Sequence, residues 1–111
     1  MYFTLPDSGK PGATTKITCG DVAGDLSAIY DTAGGHPAIG ALVTCEANDV
    51  RFTFGTATPT AGAAGTGHVL AAGNSLVINN GNQIRTFQYI NYTQQSDAIL
   101  QVTPFFEIGR P

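Results

Sequence analysis

The chain has 111 residues, 12% of them charged, and a formal net charge of -3. That length suits one compact domain with a real core and no second domain. Five scattered cations, Lys10, Lys16, Arg51, Arg85 and Arg110, make no basic stripe for nucleic acid, and prolines, glycines and amides interrupt every stretch before it reaches the length of a membrane helix.

Residues 1–12 contain Pro6, Gly9, Pro11 and Gly12 and read as an extended N-terminal arm ordered by a neighbour. The start, Met1 to Pro6, lacks a basic n-region and a long apolar h-region, so synthesis and use without general secretory export are expected. Residues 13–111 read as a single β domain. Thr14 to Cys19 looks like an edge strand guarded by Lys16. Leu26 to Tyr30 is either a strand or one helical turn, and Asp31 to Pro37 is a loop by composition. Ala41 to Cys45 suits a strand buried on both sides. Val50, Phe52 and Phe54 alternate with Arg51 and Thr53 as on a half-buried strand.

Residues 55–67 hold no large side chain and no charge, and form a long loop that is either a plain surface loop or a flat cover for a neighbouring subunit. Leu76 to Ile78 is followed by Asn80-Gly81, a hairpin signal that predicts pairing of 74–79 with 83–92. Phe87 and Tyr89 alternate until Ile90 breaks the pattern, which suggests a bulge. Ala98, Leu100 and Val102 make a last alternating strand. No segment has helical periodicity. The fold class expected is all-β: a single-domain β-sandwich or jelly roll of about eight strands with little or no helix.

Between Arg51 and Arg85 there is no Asp, Glu, Lys or Arg, over 33 residues. An average domain is about one quarter charged, and interface cores are depleted of charge in this way. The stretch therefore reads as a surface to be covered by protein. The chemistry of an enzyme is hard to assemble from the rest. His36 and His68 are far apart and in no metal-binding spacing, so no cofactor or metal is expected. Glu46, Asp49, Asp97 and Glu107 are available as paired acids, but nothing selects them. Asp21, Asp25 and Asp31 are too widely spaced for a calcium loop. Cys45 sits in an apolar run, as an inert thiol does, and Cys19 and Cys45 are either two buried thiols or one bridge. Asn91-Tyr-Thr93 matches a glycosylation pattern inside a strand. Phe105-Phe106 places adjacent rings on opposite faces, so one ring is open to a partner.

The sequence from about Ala41 has a recognisable texture: Val43-Thr-Cys-Glu46, Val50-Arg-Phe52, Thr58-Pro-Thr60, Gly67-His-Val-Leu70, Ala72-Gly-Asn-Ser-Leu76, Ile84-Arg-Thr-Phe87, Ile90 and Ala98-Ile-Leu-Gln-Val102. Over these last two thirds it resembles small virion structural proteins of tailed bacteriophages, some of which decorate or cement the capsid as small β-sandwiches or jelly rolls. The resemblance implies a non-enzymatic virion protein, made in the host bacterial cytoplasm. It also implies a homo-oligomer, with a trimer favoured, seated on the major capsid protein or another virion protein. Thr58, Pro59, Thr60, Phe105 and Phe106 are the interface candidates. The alternatives are a tail or spike part that binds a host glycan through Phe87-Gln-Tyr89 and Tyr92 to Gln95, and a small enzyme or ligand-binding jelly roll.

Overall fold

The computed structural model describes residues 9–30, 38–93 and 96–107. Among the described residues there are nine strands and two short helices: β1 (Gly9–Pro11), β2 (Thr15–Cys19), β3 (Gly24–Asp25), α1 (Ser27–Tyr30), β4 (Gly40–Ala47), β5 (Val50–Thr53), β6 (His68–Leu70), β7 (Ser75–Ile78), α2 (Gly81–Thr86), β8 (Gln88–Asn91) and β9 (Ala98–Glu107). Strand β1 lies within the expected N-terminal arm and pairs with the chain's own β9. The expected arm's residues 1–8 and the loop over 31–37 lie outside the described residues.

Every ladder is antiparallel. The pairs β2·β9, β3·β8, β4·β7 and β5·β6 nest as successive rungs of one long hairpin whose tip lies between β5 and β6. Coiling that hairpin on itself brings β4 against β9 and β5 against β8. The outcome is two sheets with strand orders 2-9-4-7 and 3-8-5-6, β1 extending the β2 edge of the first. This order is that of a jelly roll, two interlocked Greek keys.

Alternation along the strands builds the core between the sheets. Ala41, Val43 and Cys45 of β4 face the same side as Ala98, Leu100 and Val102 of β9 and Cys19 of β2. They meet Val50, Phe52, Leu70 and Phe87, and the helices add Ile29 and Ile84. Leu42 and Thr44 are only half-buried, so β4 has one core face rather than the two expected. The irregularity expected near Ile90 occurs instead on β4, between Cys45 and Ala47 opposite β9.

The hairpin expected at Asn80-Gly81 does not form. Strand β7 belongs to the first sheet and β8 to the second, so the two are not paired. Asn80 is extended (φ -149°, ψ 160°) and caps α2, its side-chain oxygen accepting from the Gln83 N–H at 2.9 Å. Gln83 Oε1 in turn accepts from the Asn79 N–H. Gly81 is required for closeness and not for a left-handed turn: a Cβ there would lie 2.8 Å from the Ala38 carbonyl oxygen. Asn80 thus acts as an N-cap, one of the two roles this residue type fills well.

Candidate functional site

The loop at the tip of the long hairpin lies on the outer face of its own second sheet. Arg51, central on β5 and 8% exposed, points to that face. Its Nε donates to the Gly62 carbonyl (2.9 Å), Nη1 to that of Gly67 (2.6 Å) and Nη2 to that of Ala63 (3.1 Å). The guanidinium also lies 4.9 Å from the centre of the Tyr92 ring. Neighbours on the same face add further ties: Thr53 Oγ1 donates to the Ala57 carbonyl (2.6 Å), and Gln88 Nε2 donates to the same oxygen (3.2 Å). The Gly62 N–H donates to the Tyr92 carbonyl at 2.8 Å.

Small residues make this possible. Carbonyls converge on one guanidinium because no side chain stands between them, and Gly62 and Gly67 adopt positive φ (94° and 126°), where other residues are strained. Covered in this way, Ile90 and Thr53 are buried although they face away from the core.

The interface candidates are therefore placed as follows. Pro59 is fully buried, while Thr58 and Thr60 are exposed on the outer side of the loop. The Thr60 hydroxyl oxygen accepts from the Thr66 N–H. Phe106 is half-buried, packed against the core and lying on Gly12, while Phe105 is buried on the opposite face of β9. Neither phenylalanine stands open.

The charge-free stretch has a clear position. It supplies β6, the outer strand of one sheet, and β7, the outer strand of the other. Only residues 71–74 join them, so both outer strands lie on one flank of the roll. The opposite flank holds β1, β2 and β3. Near β6, an open cleft of about 410 Å³ is lined by Thr53, Phe54, Ala57, Thr66, Gly67 and His68. Phe54 is 37% exposed and stands edge-on to Phe52 and Phe87, and the His68 ring lies 5.5 Å from that of Phe52. Of the residues suggested as a glycan platform, Phe87 is buried, Tyr89 is half-buried and the Tyr92 ring lies against Arg51, while Gln94 and Gln95 lie outside the described residues.

The acids are spread over separate structural tasks. Asp25 Oδ1 accepts from the N–H and hydroxyl of Ser27 at the start of α1, which holds its pKa below the ordinary carboxylate value. Glu46 accepts from Gln101 Nε2, and Asp49 from the Ala72 N–H. Among the described residues no group of three or more His, Cys, Asp or Glu side chains can hold a metal ion. Asn91 of the glycosylation pattern is fully buried, its amide nitrogen donating to Asp21 Oδ1 at 2.8 Å.

Cys19 and Cys45 are free and buried. Cys19 is level with Ala98 and Cys45 with Leu100, on opposite sides of β9. Two strand spacings separate them by about 10 Å, beyond the roughly 7 Å that a disulfide spans. Burial pushes the Cys19 thiol up to about 12, with Cys45 and Asp97 adding to the shift, and the Cys45 thiol up to about 11. Both thiols are thus expected to resist iodoacetamide in the native protein and to react together on unfolding, as read by mass.

The same shifts set an alkaline limit. Raised folded pKa values leave stability intact below about pH 9, where the unfolded thiols are also protonated. Above that, up to the folded values of about 11 for Cys45 and about 12 for Cys19, the unfolded state sheds protons and the folded state does not, so stability falls by at most about 1.4 kcal/mol per pH unit for each thiol. Urea titrations at pH 8 and pH 10 should show the decline, and Cys19→Ala with Cys45→Ala should flatten it.

The chain matches no family model, no curated protein and no solved structure. No helix among the described residues is long and apolar enough to cross a membrane.

Proposed function

We propose that this chain is a non-enzymatic virion structural protein of a tailed bacteriophage, a decoration or cement protein that stabilises the head by bridging capsid subunits. The observation that carries the reading is the uncharged flank formed by β6 and β7, continuous in sequence with the uncharged loop clamped by Arg51. A repeating lattice lets many weak neutral contacts act together, so each needs little charge or depth. Jelly rolls serve in viral capsids and in lectins, an analogy of fold that favours assembly or sugar binding without choosing between them. In this reading the protein acts in the virion as a homo-oligomer, a trimer being favoured, against the major capsid protein.

Purified protein added to capsids that lack it is expected to co-sediment at a fixed ratio and to raise the temperature of capsid melting in calorimetry. Absence of binding at micromolar protein, with unchanged melting, overturns the proposal. The Phe54–His68 cleft favours a second reading, a tail or spike part that holds a neutral sugar ring on Phe54. Binding on a glycan array that Phe54→Ala abolishes would favour it over the first.

A further inference from the structure

We propose that β6 of one copy pairs with β7 of another, so that the neutral flank is an interface between copies of this chain. The inference rests on the assembly reading above and names the first partner of that flank. A strand at the end of a sheet shows a row of unpaired N–H and C=O groups, which only another extended strand satisfies in register. Proteins protect such edges with charges and prolines. One flank of this roll is protected in that way: β1 carries Pro11, β2 carries Lys16 and β3 carries Asp25. The other is not. Strand β6 reads His-Val-Leu and β7 reads Ser-Leu-Val-Ile, and neither holds Lys, Arg, Asp, Glu or Pro. On that flank Val69 is 47% exposed, and Ser75, Leu76 and Val77 are only half-buried.

The charge pattern permits a second copy as the occupant, and the two strand edges select it. Identical charged strands brought together repel, whereas two neutral flanks meet freely. Strands β6 and β7 carry no charge that would oppose such a pairing. The two free edges also complete one another. Pairing β6 with β7 of the next copy leaves no open edge on the flank in any closed assembly, while pairing β7 with itself would leave β6 unsatisfied. Strands of three and four residues are short, so each contact is weak alone and closure of the assembly is what makes it persist.

The test uses the full chain. Native mass spectrometry and sedimentation at micromolar concentration are expected to show a closed oligomer. Val69→Lys and Val77→Lys each place a charge on one edge and are expected to weaken association at least tenfold, and the double variant to be monomeric with an unchanged circular dichroism spectrum. If the lysine variants fail to fold, amide hydrogen exchange of the unaltered protein decides. Residues 68–70 and 75–78 should be protected when concentrated and lose that protection on dilution. A monomeric unaltered protein, an oligomer indifferent to both lysines, or exchange independent of concentration overturns the pairing. A monomer that still binds capsids would remove this inference and leave the decoration reading, and an oligomer that binds none would do the reverse.

Discussion

Phe87→Ala is expected to lower the free energy of unfolding by about 4 kcal/mol, the middle of the range for removal of a buried aromatic ring. Phe87 is fully buried at the end of α2. Its ring stacks on Phe52 (centroids 5.4 Å, planes 17° apart), meets Phe54 edge-on at 5.6 Å and lies 6.4 Å from Tyr89. The neighbours cannot easily close the gap. Phe52 is fixed by ladders on both sides, to β6 and to β8, so the cavity stays and its lining loses contact. A domain of this size has only about 5–15 kcal/mol to lose, and each kcal/mol is worth roughly 4–8 °C. A fall in melting temperature of about 16–32 °C follows. Phe87→Leu, which refills most of the space, is expected to cost about 1–2 kcal/mol. Urea unfolding followed by circular dichroism measures both, and a Phe87→Ala loss below about 1 kcal/mol would mean that the ring cluster does not hold the sheets together.

The fold was legible where one residue type admits one role. Alternation in 50–54 and 98–102 predicted strands that are present, and the scarcity of helical periodicity matches two helices of only four and six residues. The class was therefore available, as was the outer position of Thr15–Cys19, which pairs with β9 alone. Asn80-Gly81 misled because two local mechanisms compete for the same pair. Asn-Gly suits a tight hairpin, and Asn80 followed three places on by Gln83 suits a helix start. The choice between them is made by the coiling of the roll, which sends β7 and β8 to different sheets, and no local pattern carries that information.

The site was legible in outline and not in detail. The absence of charge from 52 to 84 singles out the stretch that supplies β6, β7 and the loop held by Arg51, but composition is silent on which parts of it turn inward. Pro59 is the loop residue that turns fully inward, and Phe54 with His68 lines a cleft that the alternation alone does not suggest. In the sequence Arg51 reads as one scattered cation. Its signal was its place: a lone arginine on a strand that leads directly into a loop of small residues, whose bare carbonyls suit the five N–H donors of a guanidinium.

That arginine is expected to hold the loop by an amount that can be read separately from the core. Arg51→Ala removes three charge-assisted hydrogen bonds and the contact with Tyr92. The freed carbonyls can be hydrated if the loop lifts, so the loss is limited to the docking of the loop, about 2–3 kcal/mol. Lifting also exposes Pro59, the buried residue of the loop itself, and Ile90 on the face it covers. Arg51→Lys retains the charge but offers one ammonium where a fork reached Gly62, Ala63 and Gly67, so it should recover less than half of the loss. Trypsin finds no site between Arg51 and Arg85, whereas elastase cuts after small residues and reads residues 55–67 directly. Faster elastase cleavage in Arg51→Ala, with the cuts confined to the loop, is the expected result, and cleavage at the rate of the unaltered protein would show that the loop is held by other means. If the loop is also part of the surface that meets the capsid, the variant must pay the ordering cost on binding. Its capsid affinity should then fall even though Arg51 is buried under the loop, because a platform that is not pre-formed binds more weakly.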